Sequence, residues 1–226
     1  MEFDEGQFCK DPYGAAEEII HTLAVFDESH PVITAEENPL RHLIQLVWTE
    51  FKKTASKDHQ FRFKLATKKY MIGLLKQVQS NCQPRGHDSD IDSYIQYRRD
   101  TIGAEAPYVI MEWAYGLTLP PYVIVHPGVV ACCQAGIDIT FLDNDILSLQ
   151  KDLEYDVQHN AITRLCMRGL TVQEAIDQVG DMLDERYETW HVAQKTLPSW
   201  GPEIDRQVAT LLELYVRLPL GTLHWR

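Results

Sequence analysis

The feature that most constrains this chain is one run. From His126 to about Val157 it reads as a single long helix. The neighbouring segments repeat the same periodicity in shorter form. Apolar residues recur at helical spacing over Tyr13–Phe26 (Ile19, Ile20, Leu23, Phe26). Pro39–Ala55 reads as a second helix, with Asn38 as cap, Pro39 in the first turn, and Leu43, Leu46, Val47 and Phe51 as its stripe. His59–Val78 places Phe63, Ala66, Tyr70, Leu74 and Val78 on one face. Further helices are expected from Asp92 to the Gly103 region, over Ala106–Tyr115, Asn160–Met167 and Val172–Gln194, and after Pro202. Thr171 and Glu174 form a capping box for the Val172 helix. Gln83–Asp90 reads as a loop. Strand alternation is hard to find anywhere, so the expected fold is all-α, a single helical bundle over 1–226.

The 226 residues suffice for one sizeable core or two small ones. The net charge of -12 offers no basic footprint for a general nucleic-acid binder. An acidic protein that binds an anion needs local Lys or Arg, or bound cations, to reverse the field. Five Cys without a C-x-x-C pair read as neither a disulfide framework nor a structural metal site. Cys132 and Cys133 lie in an apolar helical stretch and read as buried free thiols. A reducing, cytoplasmic compartment is expected. The N-terminus lacks the basic and apolar regions of a signal peptide, and no apolar run reaches the length of a membrane span.

At the end of the long helix stands FLDNDILSLQKD, Phe141–Asp152. Asn144, Ser148 and Asp152 are four and eight positions apart. Four residues advance a helix only about 40° beyond a full turn, so all three share one face. An amide oxygen, a hydroxyl and a carboxylate can fill part of the oxygen shell of Mg²⁺ and leave the rest to water and phosphate. Lys151 adds a cation that could reach the same phosphate. By spacing alone the commoner fate of such residues is a solvated helix face.

NDILSLQKD resembles the metal-binding motif ND-(L/I/V)-x-(S/T)-x-x-x-E of class I terpene synthases, especially fungal-type sesquiterpene synthases. Asp152 stands where that motif has Glu. Upstream, DIDSYIQYRRDTIG (Asp90–Gly103) is similar to the family's YI-x-x-RR-x-T-x-G segment, and EWAYGLTLP (Glu112–Pro120) is similar to the stretch beyond that segment in those proteins. The resemblance implies an α-bundle that ionises a prenyl diphosphate, expected to be farnesyl diphosphate, and cyclises the carbocation. It implies Mg²⁺ held by Asn144, Ser148 and Asp152. It implies Arg99 as diphosphate sensor, Lys151 as a further phosphate contact, and Gly103 at a helix break beside the pocket. The family's aspartate-rich D-(D/E)-x-x-D motif has one counterpart here, Asp4-Glu5, with Asp4 as metal ligand. Its fifth position is Phe8 rather than an acid. Against the family the chain looks short at both ends, with N-terminal helices and the closing Arg-Tyr pair absent. Phe3, Phe141 and Trp225 are aromatics that could wall a pocket, although at helical spacing such residues mostly pack in cores.

The competing classes are a truncated or degenerate non-catalytic relative that keeps the scaffold, and a helical interaction module without a small-molecule site. A chain-elongating prenyltransferase would carry two aspartate-rich motifs. No nucleic-acid partner and no membrane span are expected, and the chain is expected to be a monomer or homodimer.

Overall fold

The structure, a computed structural model, describes residues 3, 5–83 and 90–224. They form ten helices and no strand, as the periodicity demands. The chain divides into two compact units, Met1–Pro84 and Arg85–Arg226.

The first unit holds α1 (Pro12–Ala24), α2 (Pro39–Thr54) and α3 (Lys57–Asn81). Each starts on a side-chain cap that satisfies a free backbone N–H: Asp11, Asn38 and Ser56 accept from Gly14, Arg41 and His59 respectively. Phe26, Trp48, Phe51 and Phe63 pack ring against ring, with centroids 5.0–6.3 Å apart. Phe3 packs with Ile19, Met71, Leu74 and Val78, so it belongs to the core of this unit. The buried stripe of α2 differs from the expected one. Leu43 and Leu46 are half exposed, while Trp48 and Phe51 are buried. The two aromatics lie three apart and remove more apolar area from water than the leucines would. α2 is tied to α1 by Arg41, whose Nε donates to Glu18 Oε1 at 2.8 Å.

The second unit is built around α7 (Pro127–Glu154), 28 residues long. Around it lie α4 (Ile91–Thr101), α5 (Glu105–Ala114), the short α6 (Pro121–Ile124), α8 (Ala161–Met167), α9 (Val172–Lys195) and α10 (Pro202–His224). α6 was not expected; it is a single turn after the Pro120-Pro121 pair. α10 crosses α7 where Gly136 presents no side chain. A Cβ there would sit 2.8 Å from the Tyr215 carbonyl oxygen and 3.0 Å from the Tyr108 hydroxyl. Tyr108 itself donates to that carbonyl at 2.9 Å, so α5, α7 and α10 meet at one point. The capping box of α9 is present, with both Thr171–Glu174 hydrogen bonds formed. One apolar core joins these helices, with Phe141, Leu142, Ile162, Leu165 and Leu211 almost fully enclosed.

None of the five cysteines forms a disulfide. Cys132 is buried as expected, and burial pushes its thiol up to about 11. Cys133 is half-buried. Among the described residues no helix is long and apolar enough to cross a membrane.

Candidate metal and diphosphate site

The C-terminal half of α7 carries polar side chains into the protein rather than out of it. Ser148 and Asp152 are buried and Asn144 is half-buried, which departs from a solvated helix face. Ser148 Oγ donates to Asp152 Oδ2 at 2.6 Å, so two of the three motif residues are already joined. Asp152 Oδ2 also accepts from Asn160 Nδ2 at 3.0 Å. Lys151 Nζ stands 3.7 Å from the other oxygen, Oδ1. Asn144 Oδ1 accepts from Arg98 Nη2 at 3.2 Å.

Arg98 and Asn160 tie this face into a network through Asp145. The Asp145 carboxylate is fully enclosed. It accepts from Tyr94 Oη at 2.5 Å, from the Ala161 backbone N–H at 2.9 Å and from Arg98 Nη2 at 3.2 Å. Burial pushes its carboxyl up, while Arg98 and these hydrogen bonds pull it back. Tyr94 is held well above the usual phenol range by burial and by Asp145. Its ring is covered by the Arg164 guanidinium, 4.9 Å from the centroid. Asp145 thus pins α4 and the start of α8 to α7. Asp143 is different. It is buried, its Oδ2 has no hydrogen-bond partner, and burial pushes its carboxyl up to about 6.

The two arginines of α4 go separate ways. Arg99, expected at the diphosphate, grips Asp138 in the middle of α7, with Nε at 2.6 Å and Nη2 at 2.7 Å. Arg186 of α9 donates to the same carboxylate at 2.8 Å. The hydrogen bond to Asp138 raises the Arg99 guanidinium above its ordinary value. Arg98, one position earlier, is the arginine that reaches Asn144. Gly103 lies between α4 and α5 with φ 72°, a left-handed conformation that other residues adopt only with strain.

Of the residues expected at the site, the structure brings Asn144, Ser148, Asp152 and Lys151 together on one stretch of α7. Asp4 and Trp225 lie outside the described residues. Phe141 is fully enclosed, with its ring edge-on to Tyr94 in the core. Among the described residues no three His, Cys, Asp or Glu side chains cluster as a metal site. Among the described residues, the motif itself offers a cation one carboxylate and two neutral oxygens. Sequence reasoning missed Asp138, Asp145, Asn160 and Tyr94. The acid within the apolar run Ala135–Phe141 was the available signal, because a buried carboxylate demands partners.

Comparison with known proteins gives the family. The family model described as "Terpene synthase family 2, C-terminal metal binding" matches residues 2–189. The chain belongs to this terpene synthase family. It is 40% identical over 223 residues to Terpene cyclase 4 of Gibberella fujikuroi, covering 99% of this chain and 60% of that protein. It is 38% identical over 224 residues to the (+)-eremophilene synthase of the same fungus, covering 99% of this chain and 63% of the relative. The chain thus spans about three fifths of the length of these curated relatives. The germacradien-4-ol synthase of Streptomyces citricolor shares the fold, with a TM-score of 0.79 at 17% identity over 96% of this chain and 69% of that one.

Proposed function

We propose that this chain is a Mg²⁺-dependent class I terpene synthase, a lyase that ionises farnesyl diphosphate, cyclises the resulting cation and releases pyrophosphate. The observation that carries the reading is the inward-facing triad of Asn144, Ser148 and Asp152 with Arg98 hydrogen-bonded to it. The family's metal-binding description and the named cyclases among its relatives support it. The family model also runs across the boundary between the two compact units, which supports reading 1–226 as one terpene synthase-like domain.

The donor set fits a hard divalent cation. It is all oxygen, and its carboxylate is buried with Lys151 rather than a guanidinium against Oδ1. Asn144, Ser148 and Asp152 would hold the metal. The chemistry supplied by Mg²⁺ when bound is Lewis-acid stabilisation of the departing diphosphate. We assign the phosphate contact on α4 to Arg98 in place of Arg99, because Arg98 touches the triad while Arg99 is committed to Asp138. Its forked donors suit phosphate oxygens better than a point charge does. Lys151, 3.7 Å from Asp152 Oδ1, would add positive charge as the carbon–oxygen bond breaks. Gly103 gives α4 the break that separates it from α5. The departing pyrophosphate can accept the final proton, so the reaction needs no protein base. We also propose a cytoplasmic location, the reducing compartment in which cysteines that form no disulfide persist as thiols.

The test is incubation of the folded protein with farnesyl diphosphate and Mg²⁺, reading hydrocarbon and released pyrophosphate. Both are expected, and Asn144→Ala with Asp152→Ala is expected to lower turnover by at least about 10²-fold. Unchanged turnover in that double variant removes the metal assignment. Neither product from the unaltered chain removes the catalytic reading.

A further inference from the structure

Asn160 is fully enclosed, and each polar atom of its side chain is used. Its Oδ1 accepts from the Ile162 N–H at 2.9 Å and so caps α8. Its Nδ2 donates twice, to the Asp145 carbonyl oxygen at 2.7 Å and to Asp152 Oδ2 at 3.0 Å. A cap alone needs only the oxygen; Ser, Thr or Asp would serve as well. The amide nitrogen is what distinguishes Asn at this position, and it points at the carboxylate of the triad.

The consequence falls on Asp152. With Ser148 Oγ and Asn160 Nδ2 both on Oδ2, that oxygen is occupied and the carboxylate plane is set. Oδ1 is left as the oxygen that faces Lys151. An Asp side chain has one methylene fewer than Glu, and two fixed donors leave it little freedom to swing. The second bond of Nδ2, to the α7 backbone at Asp145, makes the amide a strut between α8 and two successive turns of α7.

We propose that Asn160 is a positioning residue. It holds Asp152 so that Oδ1 alone is presented to the divalent cation, and it thereby compensates for the short carboxylate in this motif. This rests on the metal reading of Asn144, Ser148 and Asp152 given above. Groups that orient a metal-bound carboxylate change metal affinity by about 10- to 100-fold when removed.

The experiment is a titration of the 226-residue protein with Mn²⁺ in the presence of inorganic pyrophosphate, followed by electron paramagnetic resonance of free Mn²⁺. Four proteins are compared: unaltered, Asn160→Ser, Asp152→Ala and the double variant. Ser keeps the cap of α8 but cannot span to Asp152. Asn160→Ser is expected to weaken Mn²⁺ binding about tenfold. In the Asp152→Ala background the same change is expected to cost nothing further, since there is no carboxylate left to position. A purely structural Asn160 would lower affinity by the same factor in both backgrounds, and that result overturns the proposal. So does unchanged affinity in Asn160→Ser while Asp152→Ala loses binding; the metal reading then survives alone. Absence of Mn²⁺ binding by the unaltered protein, or full binding by Asp152→Ala, overturns the metal reading and the role of Asn160 with it.

Discussion

Helix α7 carries two buried charged constellations, and they are balanced differently. In its middle, Asp138 is one carboxylate against two guanidiniums, Arg99 and Arg186. At its end, Asp145 and Asp152 are two carboxylates served by Arg98 and, at 3.7 Å, by Lys151. The middle is closed on itself. Its carboxylate accepts three short, charge-assisted bonds from α4 and α9 and needs nothing more. The end is rich in oxygen and poorer in cations. On the proposed reading a divalent ion would be accepted at the end of the helix and repelled from its middle. On that reading the same helix holds a fastening and, nearer its C-terminal end, a cation site, told apart by the ratio of cations to carboxylates.

The largest expected effect lies at the fastening. Asp138→Ala leaves two guanidiniums side by side, each about one-fifth exposed, with their shared carboxylate gone. Removing one partner of a buried pair costs about 3–5 kcal/mol, and the partial exposure of the arginines argues for about 3 kcal/mol here. Urea denaturation measures it. Mn²⁺ affinity in the folded fraction is expected to stay within about twofold, since no member of this cluster bonds to the triad. A large loss of metal affinity with little loss of stability would reverse the roles assigned to the two regions.

The next effect separates the paired arginines. Arg98→Ala is expected to lower kcat/KM for farnesyl diphosphate by about 10²-fold, as loss of one charge-stabilising donor does. Arg99→Ala is expected to act mainly on stability, through Asp138. Steady-state kinetics and melting temperatures on both variants decide it. If Arg99→Ala takes the larger kinetic loss, the phosphate contact belongs to Arg99, as the sequence resemblance implied.

This pair shows where the sequence was legible. Helices α1–α5 and α7–α10 announce themselves through apolar spacing, caps and breakers, and their observed ends fall within about three residues of the expected ones. The triad was visible because its three residues lie on one helix, where spacing alone puts them on one face. Arg98 and Arg99 are adjacent, and adjacent helical residues point about 100° apart. Which of them faces the triad depends on how α4 packs on α7, and no local rule contains that. Asp145 and Asn160 were silent for the same reason. Asp145 meets Tyr94 51 positions away, and Asn160 reaches back 8 and 15 positions across the turn between α7 and α8 to Asp152 and Asp145. Leu43 and Leu46 failed for a different reason: α2 is apolar on more than one side, and only packing chooses between the leucines and Trp48.

The smallest effect tests the glycine that follows the helix carrying both arginines. Gly103 has φ 72° and joins α4, which carries both arginines, to α5. Ala at this φ costs about 1 kcal/mol or somewhat more, because its Cβ crowds the backbone in the left-handed region. If the strain is absorbed by the turn itself, Gly103→Ala lowers the melting temperature by a few degrees. Turnover is then unchanged, since the bidentate grip on Asp138 keeps α4 in register on α7. If the strain is passed into α4, the weaker contact yields first. That contact is Arg98 on Asn144 at 3.2 Å, rather than Arg99 on Asp138 at 2.6 Å. Turnover then falls while the fastening holds. Measuring kcat/KM and melting temperature on this one variant therefore ranks the two arginine contacts by stiffness.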